Sequence, residues 1–95
     1  MISREDVVSA IGYDGNAALV DRSARRRYGG MTTQQLIDAG FFRAATASAL
    51  YADSRDELAR VAEAYNRVSG SSYSVDAMPR LFGVAKVSVP RTLAL

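Results

Sequence analysis

TTQQLIDAGFFRAATASALYADSRDELARVAEAYNRVSG, residues 32–70, decides how this chain reads, because it spells three successive helices together with their start and stop signals. Thr32 and Gln35 have the spacing of a capping box, in which the hydroxyl accepts an orphan helical N–H and the Gln side chain reaches back to the cap. A helix is therefore expected from Thr33. It ends where Gly40 supplies a left-handed residue and Phe41 meets Leu36 in a Schellman arrangement. The next helix, from Phe41 to Ala52, carries Ala44, Ala45, Ala47, Ser48 and Ala49, small side chains that let another backbone come close. Ser54 and Glu57 form a second capping pair, and behind it Leu58, Val61, Ala62, Tyr65 and Val68 share one helical face. Arg55, Asp56, Arg60, Glu63 and Arg67 take the opposite face, with Asp56–Arg60 and Glu63–Arg67 at the i, i+4 spacing of ion pairs. Gly70 closes the run.

Upstream, Ser3 and Asp6 open a short helix carrying Val7, Val8 and Ile11, which Gly12 ends. Tyr13 to Asn16 reads as a turn. Asn16 then caps a second helix reaching Tyr28, with Ala17, Val20, Ala24 and Tyr28 inward; a short strand over residues 17–20 is the alternative. Arg22, Arg25 and Arg26 fall on one face of that helix and Arg27 on another, with Asp21 placed to pair with Arg25. Arginines in the last helical turn complement the negative end of the dipole, which accounts for them structurally. The same four side chains are also the candidates for holding phosphate oxygens or an acidic partner. Gly29-Gly30, ahead of the Thr32 cap, could cradle an anion, but it lacks the lysine and spacing of a phosphate-binding loop.

Downstream, Ser71 to Ser74 is a loop, and Pro79 starts one helical turn that Gly83 ends. Val84 to Val89 alternates with a period of two, Pro90 closes it, and Arg91 to Leu95 is a tail. The expected architecture is all-α: a small bundle or array of four to five short helices in residues 1–83, with an extended C-terminal arm in residues 84–95. With no second strand evident, the arm would lie over its own helices or pair with another chain. Val84, Val87, Val89, Leu93 and Leu95 are accordingly the candidate assembly contacts.

Composition narrows the chemistry. The chain has no histidine and no cysteine, so the usual general base, the common zinc ligands and the Ser-His and Cys-His pairs are missing. Asp14, Gly15 and Asn16 do not make a calcium-loop spacing. No enzymatic activity, metal, cofactor or small-molecule substrate is expected. No apolar run reaches membrane-spanning length and no signal pattern opens the chain, so the expected location is the cytoplasm or a soluble assembly. Of the 48% hydrophobic residues, sixteen are alanine, and a core of small side chains gains little per residue. That deficit favours partnership with other protein chains, copies of this one included. The first expectation is thus a non-enzymatic structural or interaction subunit that docks through its alanine-rich helices and C-terminal arm, in a virion or another multi-subunit particle. The alternative is a small nucleic-acid-binding protein gripping phosphates through the arginine stripe. A helix-turn-helix reading of residues 33–52 fails in detail, since Leu36 occupies a position that wants a small residue and Arg43 is the second helix's only long polar reader.

Overall fold

A computed structural model of the chain describes residues 4–14, 17–84 and 91–94. Its elements are α1 (Arg4–Ser9), β1 (Ala10–Asp14), β2 (Ala17–Val20), α2 (Arg22–Tyr28), α3 (Thr33–Asp38), α4 (Phe42–Tyr51), α5 (Arg55–Ser69), a 3-10 turn (Val75–Ala77), α6 (Met78–Phe82) and β3 (Arg91–Ala94). Helices dominate, as the all-α reading expects, and a three-stranded sheet of order β1-β2-β3 is added to them. Contacts group the chain into two units, Thr32–Lys86 and Met1–Met31 with Val87–Leu95.

The helical unit, Thr32–Lys86, follows its local signals closely. Thr32 and Gln35 form the full capping box on α3. Gly40, at φ 83°, ends that helix, and the Phe41 N–H reaches the Leu36 carbonyl at 2.9 Å as the Schellman arrangement requires. The Ser54 hydroxyl accepts the Glu57 N–H at 3.2 Å, but the expected return bond is not made. The Ser54 N–H is already spent on the Ala49 carbonyl, in a tight α4–α5 turn whose left-handed residue is Asp53. Glu63 pairs with Arg67 at 3.1 Å, whereas Asp56 and Arg60 form no ion pair; Arg55 instead reaches Asp76 at 2.7 Å. Gly70 and Gly83 take left-handed conformations after α5 and α6.

Helix α4 lies at the centre of this unit, touching α3, α5 and α6. Six consecutive residues, Ala44 to Ala49, are buried, so the small side chains let three helices approach one backbone from different sides. The Thr33 and Ser48 hydroxyls meet at 2.7 Å in the α3–α4 contact, keeping their oxygens paired in the core. Leu58, Val61 and Ala62 of α5 pack inward as their spacing predicts. Val68 does not, and stands 75% exposed. Ten residues of α4 span about 15 Å and fifteen of α5 about 22 Å. Phe42, the first residue of α4, already lies against Tyr65, so α5 outruns its neighbour before Val68.

The other unit corrects several expectations. Residues 10–14 are a strand rather than the end of a helix and a turn, so Ile11, Gly12, Tyr13 and Asp14 belong to β1. Residues 17–20 take the strand alternative rather than the helix. They pair antiparallel with β1, Asp14 opposite Ala17 and Ala10 opposite Val20, with a bulge between Ala10 and Gly12. The cap of α2 is therefore Asp21, whose carboxylate accepts the Ser23 and Ala24 N–H groups at 2.9 and 3.3 Å. Asp21 is thus occupied and does not pair with Arg25. The tail also finds a partner in its own chain: β3 runs parallel to β2, Ala17 opposite Arg91 and Leu19 opposite Leu93. Helix α1 rests on α2 and β2, burying Val8 and Ser9 beside Val20 and Ala24 of the same unit.

Candidate functional site

The charge of the chain is unevenly placed. Met1–Met31 with Val87–Leu95 carries six arginines against four carboxylate residues, while Thr32–Lys86 carries six basic and six acidic residues. All of the +2 net charge therefore resides in the unit that contains α2. Capping by Asp21 sets the phase of α2 and turns Ala24 inward, which sends Arg22, Arg25, Arg26 and Arg27 to the solvent. Arg22, Arg25 and Arg26 line one shallow concavity of about 320 Å³; Arg27 is not part of it. The face predicted from the helical repeat is thus assembled as expected.

Neighbours outside α2 shape that face. The Arg25 Nε donates to Asp6 Oδ1 at 3.0 Å, tying α2 to α1 and partly neutralising the middle cation. Arg22 and Arg26 have no ion-pair or hydrogen-bond partner among the described residues. They are like charges one helical turn apart, an arrangement that costs about 0.2–0.5 kcal/mol in an isolated helix. The glycine pair that follows is no anion cradle. Arg4 crosses from α1 and donates Nη1 to the Gly29 carbonyl at 3.2 Å and Nη2 to the Met31 carbonyl. The loop therefore presents oxygens to a cation, as suits the negative end of a helix.

A second surface belongs to the helical unit. The Tyr65 ring sits edge-on to Phe42 and Phe82 at centroid distances of 5.3 and 5.2 Å, and Tyr73 tilts against it at 6.1 Å. Phe42, Tyr65 and Phe82 are each half-buried and Tyr73 is 44% exposed. Asn66 holds the Tyr73 backbone from both sides, its amide donating to the carbonyl at 2.8 Å and its oxygen accepting the N–H at 2.9 Å. Arg43 donates to the Phe82 carbonyl at 3.1 Å and so ties α4 to the end of α6. Only the individual aromatics, not their convergence, were visible in the sequence. A period-3.6 reading that joined Phe42 to the end of α5 would have needed the α4–α5 hairpin in hand.

A concavity of about 280 Å³ lies beside the α4–α5 turn, lined in part by Leu50, Asp53, Leu58 and Pro79, with Arg55 and Asp76 at its side. The Arg55 guanidinium, by its hydrogen bond and then its charge, holds the Asp76 carboxyl below the usual carboxylate range, and Asp76 raises Arg55 in return. A carboxyl depressed in the folded state stabilises at neutral pH and loses that contribution as pH falls through its folded value. Asp76→Asn is therefore expected to lower the urea midpoint slightly at about pH 7, with the difference shrinking as pH falls through the folded value of Asp76. Both groups are exposed, so added salt should shrink the gap as well.

The expected assembly contacts fare unevenly. Val84 is buried, and its N–H bonds the Pro79 carbonyl at 2.8 Å, so it belongs to the core of the helical unit and not to a free arm. Leu93 lies in β3, and Val87, Val89 and Leu95 fall outside the described residues. In α4, residues Ala44 to Ala49 are buried in the helical unit, while Phe42, Arg43 and Leu50 at its ends are half-buried and Tyr51 is exposed. Among the described residues no group of three or more Asp or Glu side chains could hold a metal ion. No described helix is long and apolar enough to cross a membrane. No protein-family model matches the chain, and comparisons with curated proteins and with solved structures gave no match.

Proposed function

We propose that the chain is a non-enzymatic assembly subunit whose helical unit docks onto a second copy of itself through the aromatic face around Tyr65. The observation that carries this reading is the half-exposed quartet of Phe42, Tyr65, Tyr73 and Phe82. Rings that pack edge-on to one another while still facing water are pre-ordered, so little side-chain entropy is lost when a partner covers them. Tyrosine, phenylalanine and arginine are also the residues in which interface energy concentrates. A second copy suits the patch because the same helical unit also exposes Leu81 on α6, giving each subunit apolar surface both to offer and to receive. The absence of histidine and cysteine from the chain supports the non-enzymatic half of the reading.

Light scattering of the intact protein tests it. The expected mass is a multiple of the 10.2 kDa chain. In a Tyr73→Ser, Leu81→Ser variant it should fall to the single-chain mass, with helical circular dichroism unchanged because both side chains are exposed. A wild-type protein that stays at 10.2 kDa up to about millimolar concentration would refute self-docking.

A further inference from the structure

The geometry points to a separate binding site on α2: a cationic concavity in which Arg22 and Arg26 clamp the phosphodiester backbone of a nucleic acid, with Arg25 as the oriented cation between them. Among the described residues the concavity is lined by Arg22, Arg25 and Arg26. A ligand held there meets three guanidinium groups, whose charge and planar geometry suit bidentate pairing with phosphate oxygens. Arg22 and Arg26 are spaced by one helical turn, about 6 Å along the axis, on the scale of neighbouring phosphates in one strand.

Three further observations agree. Folding brings Arg22 and Arg26 together without giving either a partner among the described residues, and an anion between them would relieve their repulsion. Asp6 fixes Arg25 through its Nε, so the middle guanidinium is held in place before any ligand arrives. The net positive charge of the whole chain is confined to this unit, which directs a polyanion to it. Arg27 lies off the concavity and contributes only to the general field.

The test is fluorescence anisotropy of the full chain with a labelled 20-base-pair duplex, repeated with the single strand. Three phosphate contacts predict that raising salt from 50 to 200 mM weakens duplex binding about 40-fold. In Arg22→Ala, Arg26→Ala, one contact remains and the loss should shrink to about 3.5-fold, with affinity at 50 mM reduced. Arg27→Ala should keep the steep dependence. The substituted side chains are exposed, and circular dichroism confirms that each variant is folded. The inference fails if neither duplex nor strand binds at 50 mM salt, or if the double variant keeps the wild-type slope. It also fails if vesicles of anionic phospholipid bind while both nucleic acids do not, since the phosphate would then be a lipid headgroup. The light-scattering result on the aromatic face is independent of all these outcomes.

Discussion

Leu36→Ala is expected to remove about 2–5 kcal/mol from the helical unit, the largest effect of any single substitution foreseen here. Leu36 is fully buried on α3, where that helix covers both α4 and α5. Much of the surrounding core is alanine: Ala44, Ala45, Ala47, Ala49 and Ala62 leave Leu36, Ile37, Leu58, Val61, Met78 and Val84 to supply most of the buried apolar area. The neighbours of a deleted leucine are then short side chains that cannot swing into the cavity, so little of the loss is recovered by relaxation. A chain of 95 residues has a net stability of about 5–14 kcal/mol, so the variant should be partly unfolded under mild denaturant. Urea unfolding followed by far-ultraviolet circular dichroism reads the difference. Val68→Ala, at a position 75% exposed, serves as the control and should stay within about 0.5 kcal/mol of wild type. Equal midpoints for Leu36→Ala and wild type would mean that α3 does not close this core.

Arg4→Ala should cost the other unit about 1.5–3 kcal/mol, the range for hydrogen bonds made by a charged group. One side chain ties the start of α1 to the Gly29 and Met31 carbonyls, which no helical N–H can reach at the end of α2. The guanidinium works as a fork, holding two carbonyls at a fixed separation while its charge meets the negative end of the dipole. Lysine brings the charge without the fork, so Arg4→Lys should recover less than half of the loss. Hydrogen exchange gives the local reading. The Gly29 N–H, bonded to Arg25, and the Met31 N–H, bonded to Tyr28, should exchange faster in Arg4→Ala, while amides of Thr32–Lys86 keep their protection. Unchanged protection at Gly29 and Met31 would show that α1 and α2 are held together without the Arg4 fork.

What residues 32–83 would become was legible because every decisive signal there is local. The Thr32 box, the Gly40, Gly70 and Gly83 stops, the Pro79 start and the inward face of α5 each involve residues within a turn or two of one another. Upstream, Gly15-Asn16 lies between two short apolar runs and is the kind of pair that favours a two-residue hairpin connection. A run of alanines and arginines with good helix propensity outweighed it, and the β1–β2 ladder shows that pairing prevailed over propensity. The placement of Arg22, Arg25 and Arg26 on one face was also readable, since it depends only on helical repeat.

The sequence by itself determined where most helices start and stop, which side of α5 is apolar, and that the chain carries an arginine face without histidine or cysteine chemistry. Tertiary structure alone decided that β2 lies between β1 and β3, that Asp6 takes Arg25 from Asp21, and that Arg4 spans to the carbonyls after α2. It also decided that α4 is enclosed while Phe42, Tyr65, Tyr73 and Phe82 share one half-exposed face. The division has a physical cause. Caps and faces are set by hydrogen bonds and side-chain spacing within about four residues, whereas Ala17 and Arg91 meet only after the chain between them has folded.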